Sequence, residues 1–505
     1  MDRYRMLPSY RYYDVEGTSP LTLDKSVGKP LRDYKIYGNS IQDGTPSPEN
    51  PVEIQSCGDK SKNLINWDYL LDNPEITKTE NGYYSNTYYN NFAVASTRLG
   101  AQIKSILKPN VTYTLSRKYA GGTDGTIGNI VFSKSGTYVV ASGYGVGLKS
   151  KTFSFTQEEI DSITSVYIYF TSPSAGGGTI SELQLTESEE VLPYEPYGYK
   201  IPIEVGGKNL FDIENTTYYD GYLKSSGEVT SDGGFKYTDY IEVNSDSITL
   251  TLVYGGLNAP SICAYDKDKN YLTGVKYGGK TIINLNHSDM KYVRFSLTNS
   301  VISGKFNILL ENGSVSTDFE PYKEPIVTNI YLDEPLYKIG DYADYIDFMN
   351  GKVVRNIFEY TFVGNEFGSS GVPFADLGTT ICTYTKTIAD GKLPTEVRGF
   401  SEKGVFDGKV INANDNERCA FAYNSGAKRT CFYARILKSR CANPDSPTSA
   451  DFNNIYSAGT KIYGVLATPT ETPITLPTIP THKGTNVISV PTKIQPSNMQ
   501  IQYYK

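Results

Sequence analysis

The densest group of side chains with chemical potential is Asn81-Gly-Tyr83-Tyr84-Ser-Asn86-Thr-Tyr88-Tyr89-Asn90-Asn91, with Trp67 upstream. Sugars present C–H faces that stack on aromatic rings, and hydroxyls that seek amides and carboxylates. A Tyr/Asn-rich loop on a rigid scaffold supplies both halves of a glycan site. Trp67, Tyr83, Tyr84, Tyr88, Tyr89 and Asn90 are the candidates here. A weaker counterpart lies at Tyr218, Tyr219 and Tyr222, with Tyr237 downstream. Each of these residues has an ordinary alternative, because Tyr also lines strand faces and packs between modules.

Asp266-Lys-Asp268-Lys-Asn270 alternates oxygen-bearing side chains in the manner of a calcium loop, but lacks the Gly and the later bidentate Glu. A structural calcium at Asp266, Asp268 and Asn270 is the one cofactor the residues suggest. The same residue types build hairpin turns, and the flanking Tyr265 and Tyr271 favour that role. A glycosidase needs only two suitably spaced carboxylates, and acids are not scarce in this chain. No HExxH or GxSxG motif occurs, however, and the two His residues, His287 and His482, fall in a polar turn and a Pro/Thr-rich connector. Structural roles are expected for both, and no enzyme. Six Cys without a CxxC pair argue against a zinc site. Cys419, Cys431 and Cys441 are close enough in sequence for one disulfide, although reduced, partly buried thiols are the expectation.

These residues need a scaffold. The chain has 505 residues, enough for roughly three to four domains. Lys plus Arg is 48 and Asp plus Glu 55, a net charge of −7, which speaks against a nucleic-acid binder. No apolar run approaches the length of a transmembrane helix, and the first residues lack the apolar core of an export signal. Neither membrane insertion nor export is therefore expected. The 43 Tyr outnumber 20 Phe and 1 Trp, a bias toward strands, and 46 Gly with 26 Pro break the chain into short segments.

Alternating runs such as Thr112–Leu115, Ser165–Phe170, Ser247–Val253 and Tyr292–Leu297 predict an all-β protein of tandem β-sandwiches. The best helical candidate is Thr156–Ile163, where Thr156-Gln-Glu-Glu159 forms a capping box. Val166–Tyr197 aligns with Tyr292–Tyr322: a strand, a turn, a second strand, then Glu-Pro-Tyr. Lys62-Asn63-Leu64-Ile65 recurs as Lys208-Asn209-Leu210-Phe211, and Thr485-Asn-Val-Ile488 follows the same outline. The division is then an N-terminal arm and connector (1–60), a first module (61–198), a second module repeating it (199–323), and a connector with a C-terminal sandwich (324–505). Pro-rich stretches at Pro46–Val52 and Thr468–Ile474 read as stiff, extended connectors. Asn350-Gly351 between apolar runs predicts a hairpin.

The run Leu31–Ser56, the run Ile339–Arg355 with its Gly-Asp-Tyr-Ala-Asp-Tyr-Ile-Asp-Phe core, and the ending Ile494–Lys505 resemble tail-tip and baseplate proteins of long-tailed phages and prophages of Gram-positive gut bacteria. The two repeats resemble carbohydrate-binding jelly rolls, which often close with Leu-Glu-x-Gly-Ser-x-x-Thr-x-(Tyr/Phe)-Glu-Pro-Tyr. The second repeat keeps Leu310, Glu311, Gly313, Ser314 and Thr317; the first has Thr186 in place of Glu311. The resemblance implies a virion protein made in the host cytoplasm and placed at the tail tip. It would attach to host cell-surface polysaccharide and assemble with other tail or baseplate proteins as a homo-oligomer, with a trimer favoured. The alternatives are an architectural spacer without a ligand of its own, and a wall-degrading tail hydrolase. In the N-terminal segment, Arg3, Tyr4, Arg5, Arg11, Tyr12 and Tyr13 suit an arm that orders on docking.

Overall fold

Alternation of buried and exposed residues sets the strands, and closely spaced turn residues keep them short. The computed structural model describes residues 21–27, 34–79, 82–85, 97–121, 129–134, 137–143, 145–163, 165–170, 177–253, 260–367, 375–376, 380–385, 389–390, 399–406, 417–424, 429–490 and 501–503. The protein is all-β, with antiparallel sheets facing each other over apolar cores. It divides into two units: Asp59–Lys200 with Tyr331–Glu334, and the remainder, Met1–Gly58, Ile201–Ile330 and Pro335–Lys505.

In the smaller unit, one sheet runs in the order Gly147–Ser154, Thr112–Gly121, Gly178–Thr186, Gly82–Ser85, Thr77–Thr79. The other places Asn129–Lys134 between Thr137–Ala141 and Ser165–Tyr169. Leu115, Phe132, Ile168 and Leu185 meet between the sheets. The Gln157–Ser162 helix carries the expected capping box: the Thr156 hydroxyl accepts from Glu159 N, and Glu159 accepts from Thr156 N. A longer helix, Thr97–Ile106, was not expected from the sequence. Leu99 and Ile103 along it, and Leu107 just past its end, recur every four residues and are buried in the core, which holds it in place. Arg117 is fully buried, and its guanidinium donates to the carbonyls of Gly143, Gly145 and Gly147 at 2.6, 2.9 and 2.9 Å. All three glycines have positive φ, which lets their carbonyls turn inward around one cation.

In the larger unit, a sandwich over residues 207–323 pairs a sheet ordered Tyr218–Asp220, Phe235–Thr238, Tyr292–Thr298, Ser261–Tyr265, Tyr271–Lys276 with a second ordered Ile282–Asn286, Ser247–Leu252, Ile308–Asn312. Phe211, Leu250, Phe295 and Leu310 lie in its core. A further sheet has the order Gly399–Ser401, Lys461–Pro473, Lys352–Thr361, Tyr345–Asp347, Tyr34–Tyr37, Ile501–Tyr503. It thus combines strands from both ends of the chain. Leu21–Val27 likewise pairs with Lys483–Ser489. Gly38 lies so close to Leu336 that a Cβ would stand 2.6 Å from its backbone carbon. The Thr468–Ile474 connector is extended as expected, but its residues through Pro473 continue the Lys461–Pro473 strand and pair with Lys352–Arg355. The Asn350-Gly351 hairpin forms with a four-residue loop between Asp347 and Lys352, Gly351 at φ 59°. Asp347 accepts from the backbone and side-chain nitrogens of Asn350. Cys57, Cys263, Cys419, Cys431 and Cys441 are buried as reduced thiols.

The repeated Lys-Asn-Leu motif has a shared physical role. Asn63 donates from Nδ2 to the carbonyls of Leu183 and Glu195 (2.8 and 3.2 Å), and its Oδ1 accepts from Ile65 N and Leu185 N (3.4 and 3.3 Å). Asn209 does the same with Ile308, Glu320, Phe211 and Leu310 (2.9, 3.1, 3.2 and 3.1 Å). Each buried amide ties the first turn of its sandwich to the last strand and to the Glu of Glu-Pro-Tyr. In the larger unit Glu320 extends the tie. It accepts from Thr485 N and Oγ1, and its carboxylate lies 3.3 Å from Lys323 and 3.5 Å from Lys208. Burial works to raise the Glu320 carboxyl, but the hydrogen bonds from Thr485 and Lys323 and the Lys208 charge outweigh it and hold it below its ordinary value.

Asn209→Ala would strand four backbone groups in the interior. It is expected to cost about 2–4 kcal/mol in urea unfolding, against less than about 0.5 kcal/mol for the exposed Asn215→Ala. The depressed Glu320 carboxyl contributes stability that is present above its unfolded value of 4.5 and is lost as pH falls through its lower folded value. Glu320→Gln should therefore flatten the acid limb of the stability–pH curve, measured by thermal melting between pH 7 and pH 3.

Candidate functional site

The candidate glycan residues separate according to the faces of their strands. Trp67 is 3% exposed and packs in the core of its sandwich, so it is a core residue and no sugar platform. It opens a short 3₁₀ turn capped by the Asn66 side chain, which directs the ring inward. Tyr83 is half-buried, and its hydroxyl donates to Asp68 at 2.5 Å. Burial and the neighbouring Asp68 hold its phenol far above the usual range. Tyr84 is 37% exposed on the next position of the strand. Tyr88, Tyr89 and Asn90 lie outside the described residues, as do Arg3, Tyr4, Arg5, Arg11, Tyr12 and Tyr13. Around this sheet three cations have acidic partners: Lys78 with Asp68 (2.6 Å), Arg98 with Asp72 (3.7 Å), Lys118 with Glu182 (3.1 Å).

The second sandwich is different. Tyr218 and Tyr219 are adjacent on one strand and therefore point to opposite sides. Tyr218 packs against the core and donates its hydroxyl to the Ile213 carbonyl (3.0 Å), which corrects its assignment as a sugar contact. Tyr219, 40% exposed, stacks on Tyr237 with centroids 5.4 Å apart and planes 28° from parallel. Tyr222 lies edge-on to Phe235 at 5.5 Å. From Tyr237 the row continues across the outer face of the sheet. The Arg294 guanidinium lies 4.6 Å from the Tyr237 centroid, 4.5 Å from Tyr240 and 5.7 Å from Tyr219. The Lys269 ammonium follows, 4.8 Å from Tyr240 and 5.7 Å from Tyr292. Tyr240 in turn meets Tyr265 and Tyr292 edge-on at 5.0 and 6.0 Å.

The sheet accounts for this arrangement. Along Tyr292–Leu297, Val293, Phe295 and Leu297 face the core, leaving Tyr292 and Arg294 on the outside. Arg294 is steadied by donating from Nε to the Thr238 carbonyl at 3.0 Å. Beside the row, the Tyr222–Leu223 and Val229–Thr230 hairpin closes over part of the same face. Leu223 N donates to Ser296 Oγ (2.8 Å), and Tyr271 donates its hydroxyl to Ser225 O (2.5 Å). Leu223 of the hairpin is buried with Cys263 and Tyr265, and Tyr237, Tyr240 and Tyr292 pack half-buried against this small second core, leaving Tyr219 the exposed end of the row of rings and cations. Tyr240, Lys269, Tyr292 and Arg294 were not singled out from the sequence. The alternation of Tyr292–Leu297 placed Tyr292 and Arg294 on one face, but nothing local connects them to Tyr219 and Tyr237.

Asp266, Asp268 and Asn270 form a hairpin turn. Asp266 Oδ1 accepts from Asp268 N and Asn270 N at 2.9 and 2.8 Å, Oδ2 accepts from Asn270 Nδ2 at 3.0 Å, and Lys269 takes φ 65°. This is the hairpin turn that the flanking Tyr265 and Tyr271 favoured, with both Asp266 oxygens accepting from donors of the turn. Among the described residues no group of three or more His, Cys, Asp or Glu is placed to hold a metal. His287 also serves a turn, its Nδ1 accepting from Asp289 N at 3.2 Å. A wide cleft of about 1030 Å³ runs beside this turn, with Glu204, Glu242, Lys291, Tyr322 and Lys323 in its wall. Glu242 pairs with Lys291 at 2.8 Å. Burial and the nearby Glu242 and Glu324 raise the Glu204 carboxyl.

Adding calcium or a chelator is expected to leave the melting temperature unchanged. Asp266→Ala should lower the melting temperature slightly, because the two amides and the side chain of the turn lose their shared carboxylate. A calcium-dependent rise in melting temperature that Asp266→Ala abolishes would favour the calcium alternative. The chain matches no protein-family model, and no curated protein matches it.

Proposed function

We propose that this chain is a host-attachment protein of a phage or phage-like tail, and that it holds cell-surface polysaccharide on the outer sheet face of its second sandwich. The observation that carries the binding half is the row Tyr219–Tyr237–Arg294–Tyr240, exposed at Tyr219 and half-buried beyond it, where Tyr237 and Tyr240 pack against Leu223, Cys263 and Tyr265. It offers a stacking face at Tyr219 and hydrogen-bond donors, with Tyr219, Tyr237 and Arg294 on strands that hold their side chains in place and Tyr240 in the short connection after Phe235–Thr238. The tail assignment rests on the resemblance of the three sequence runs given above. Attachment needs no covalent step. A weak site repeated on a symmetric particle gains avidity through effective concentration, so a homo-oligomer, with a trimer favoured, and contacts to other tail or baseplate proteins belong to the same proposal. A spacer role suits the first sandwich better than the second, because Trp67 lies in its core and Tyr83 is tied to Asp68.

The test is binding of the labelled full-length protein to a panel of Gram-positive gut bacteria and to their extracted wall polysaccharides. Saturable binding to at least one strain is expected, competed by its polysaccharide and weakened at least about tenfold in Tyr219→Ala/Tyr237→Ala. Absence of binding to every strain, with stable incorporation into purified tails, would favour the spacer.

A further inference from the structure

Resting on the polysaccharide-binding reading, we infer that the ligand of the Tyr219–Tyr292 strip is an acidic polysaccharide whose carboxylate sits on the stacked sugar itself, a uronate-bearing glycan. The argument begins with charge. Arg294 and Lys269 both lie within 5 Å of the centroid of one ring, Tyr240. They are therefore no more than about 10 Å apart, close to one Debye length at physiological salt, and they repel each other. Among the described residues, no carboxylate lies within ion-pair distance of either. Of the acids nearby, Asp220 is paired with Lys236 (2.7 Å), Glu242 with Lys291 (2.8 Å) and Asp268 with Lys267 (2.8 Å), Asp266 is held by its own turn, and Asp239 accepts from Tyr240 N (2.8 Å) without an ion-pair partner among the described residues. In a chain with net charge −7, a sheet face that gathers two cations around one ring without an acid is suited to an anion from outside.

Geometry narrows the anion. Arg294 Nε is held by the Thr238 carbonyl, so the guanidinium is oriented before any ligand arrives. The guanidinium also hydrogen-bonds the Tyr265 side chain, and its remaining Nη hydrogens can donate to an oxyanion. The cation lies between tyrosine rings, with Tyr237 and Tyr240 at 4.6 and 4.5 Å. An anion that reaches it while its carrier stacks on the exposed Tyr219 must be attached directly to the stacking ring. A uronate meets that requirement, with a carboxylate one bond from the pyranose. A polyol phosphate carries charge but has no ring face to stack. Lys269, at the exposed tip of its turn, would meet the charge of the next residue along the polymer.

The experiment uses the full chain and wall polysaccharides from the same bacterial panel, each in three forms: native, carboxyl-reduced and dephosphorylated. Binding is measured by titration at low and physiological salt. The expected result is binding to a native polysaccharide that survives dephosphorylation, falls at least about tenfold on carboxyl reduction, and weakens with salt. Arg294→Gln should lower it at least about tenfold and Lys269→Asn severalfold. Asn tolerates the positive φ of that exposed turn, so Lys269→Asn reports on charge even if Arg294→Gln disturbs the sheet. Binding lost on dephosphorylation but not on carboxyl reduction would overturn the uronate assignment. Binding indifferent to both treatments and to Lys269→Asn, yet weakened by Tyr219→Ala, would overturn the acidic ligand and leave polysaccharide binding standing. Absence of binding to any form would overturn both.

Discussion

A buried side-chain amide closes each sandwich at its seam. A β-sandwich leaves the backbone polar groups at its open end without sheet partners, and in a dry interior each such group costs stability. Asn63 and Asn209 answer this with two donors and one double acceptor, the only side-chain inventory, shared with Gln, that can satisfy two carbonyls and two amides from one residue. The seam joins residues more than a hundred positions apart, and so holds the first turn against the final strand. The Lys-Asn-Leu and Glu-Pro-Tyr ends of the repeat are therefore two halves of one interaction. Asn486 adapts the same chemistry to a local loop, with Nδ2 donating to His482 and Gly484 carbonyls and Oδ1 accepting from His482 N.

Carboxylates in this protein are largely structural. Asp344, fully buried, accepts from Asn356 N and Ile357 N through one oxygen, and from Tyr337 N and Arg355 through the other. Burial raises its carboxyl, against the pull of Arg355 and the amides. Asp347 and Asp266 organise hairpin loops in the same manner. Glu311 accepts from Thr317 N and Oγ1, which explains the Glu and Thr of the closing motif, and the first sandwich, with Thr186 at the matching position, ties its turn through Thr114 and the Ser188 carbonyl. With so many acids committed to amides and lysines, Arg294 and Lys269 on their ring-lined face stand apart, and their setting is what gives the proposed attachment site its chemical character.

Much of the remaining architecture is non-local. Tyr34–Tyr37 lies between Tyr345–Asp347 and Ile501–Tyr503, and Leu21–Val27 pairs with Lys483–Ser489. Chain ends that share sheets exchange loop-closure entropy for covered edges, and they hold the segments between them in fixed register.

Features governed by neighbours in sequence could be read directly. The all-β class follows from period-two alternation, the Gln157–Ser162 helix from its capping box, and the Asn350-Gly351 hairpin from the turn residues; the repeated Lys-Asn-Leu marked where each unit starts, and its role in the seam came only with the structure. Features governed by pairing could not. Tyr218 and Tyr219 look equivalent in sequence, yet one faces the core and the other the outside, and only strand register decides which. Trp67 reads as a surface ring until its turn directs it inward. Tyr219, Tyr237, Tyr240, Lys269, Tyr292 and Arg294 come from separate strands and turns, so their convergence on one strip was decided only when those strands paired. Local sequence sets backbone preference over a few residues, whereas a surface shared by several strands is fixed by long-range hydrogen bonds and by which side of each strand the core has already claimed.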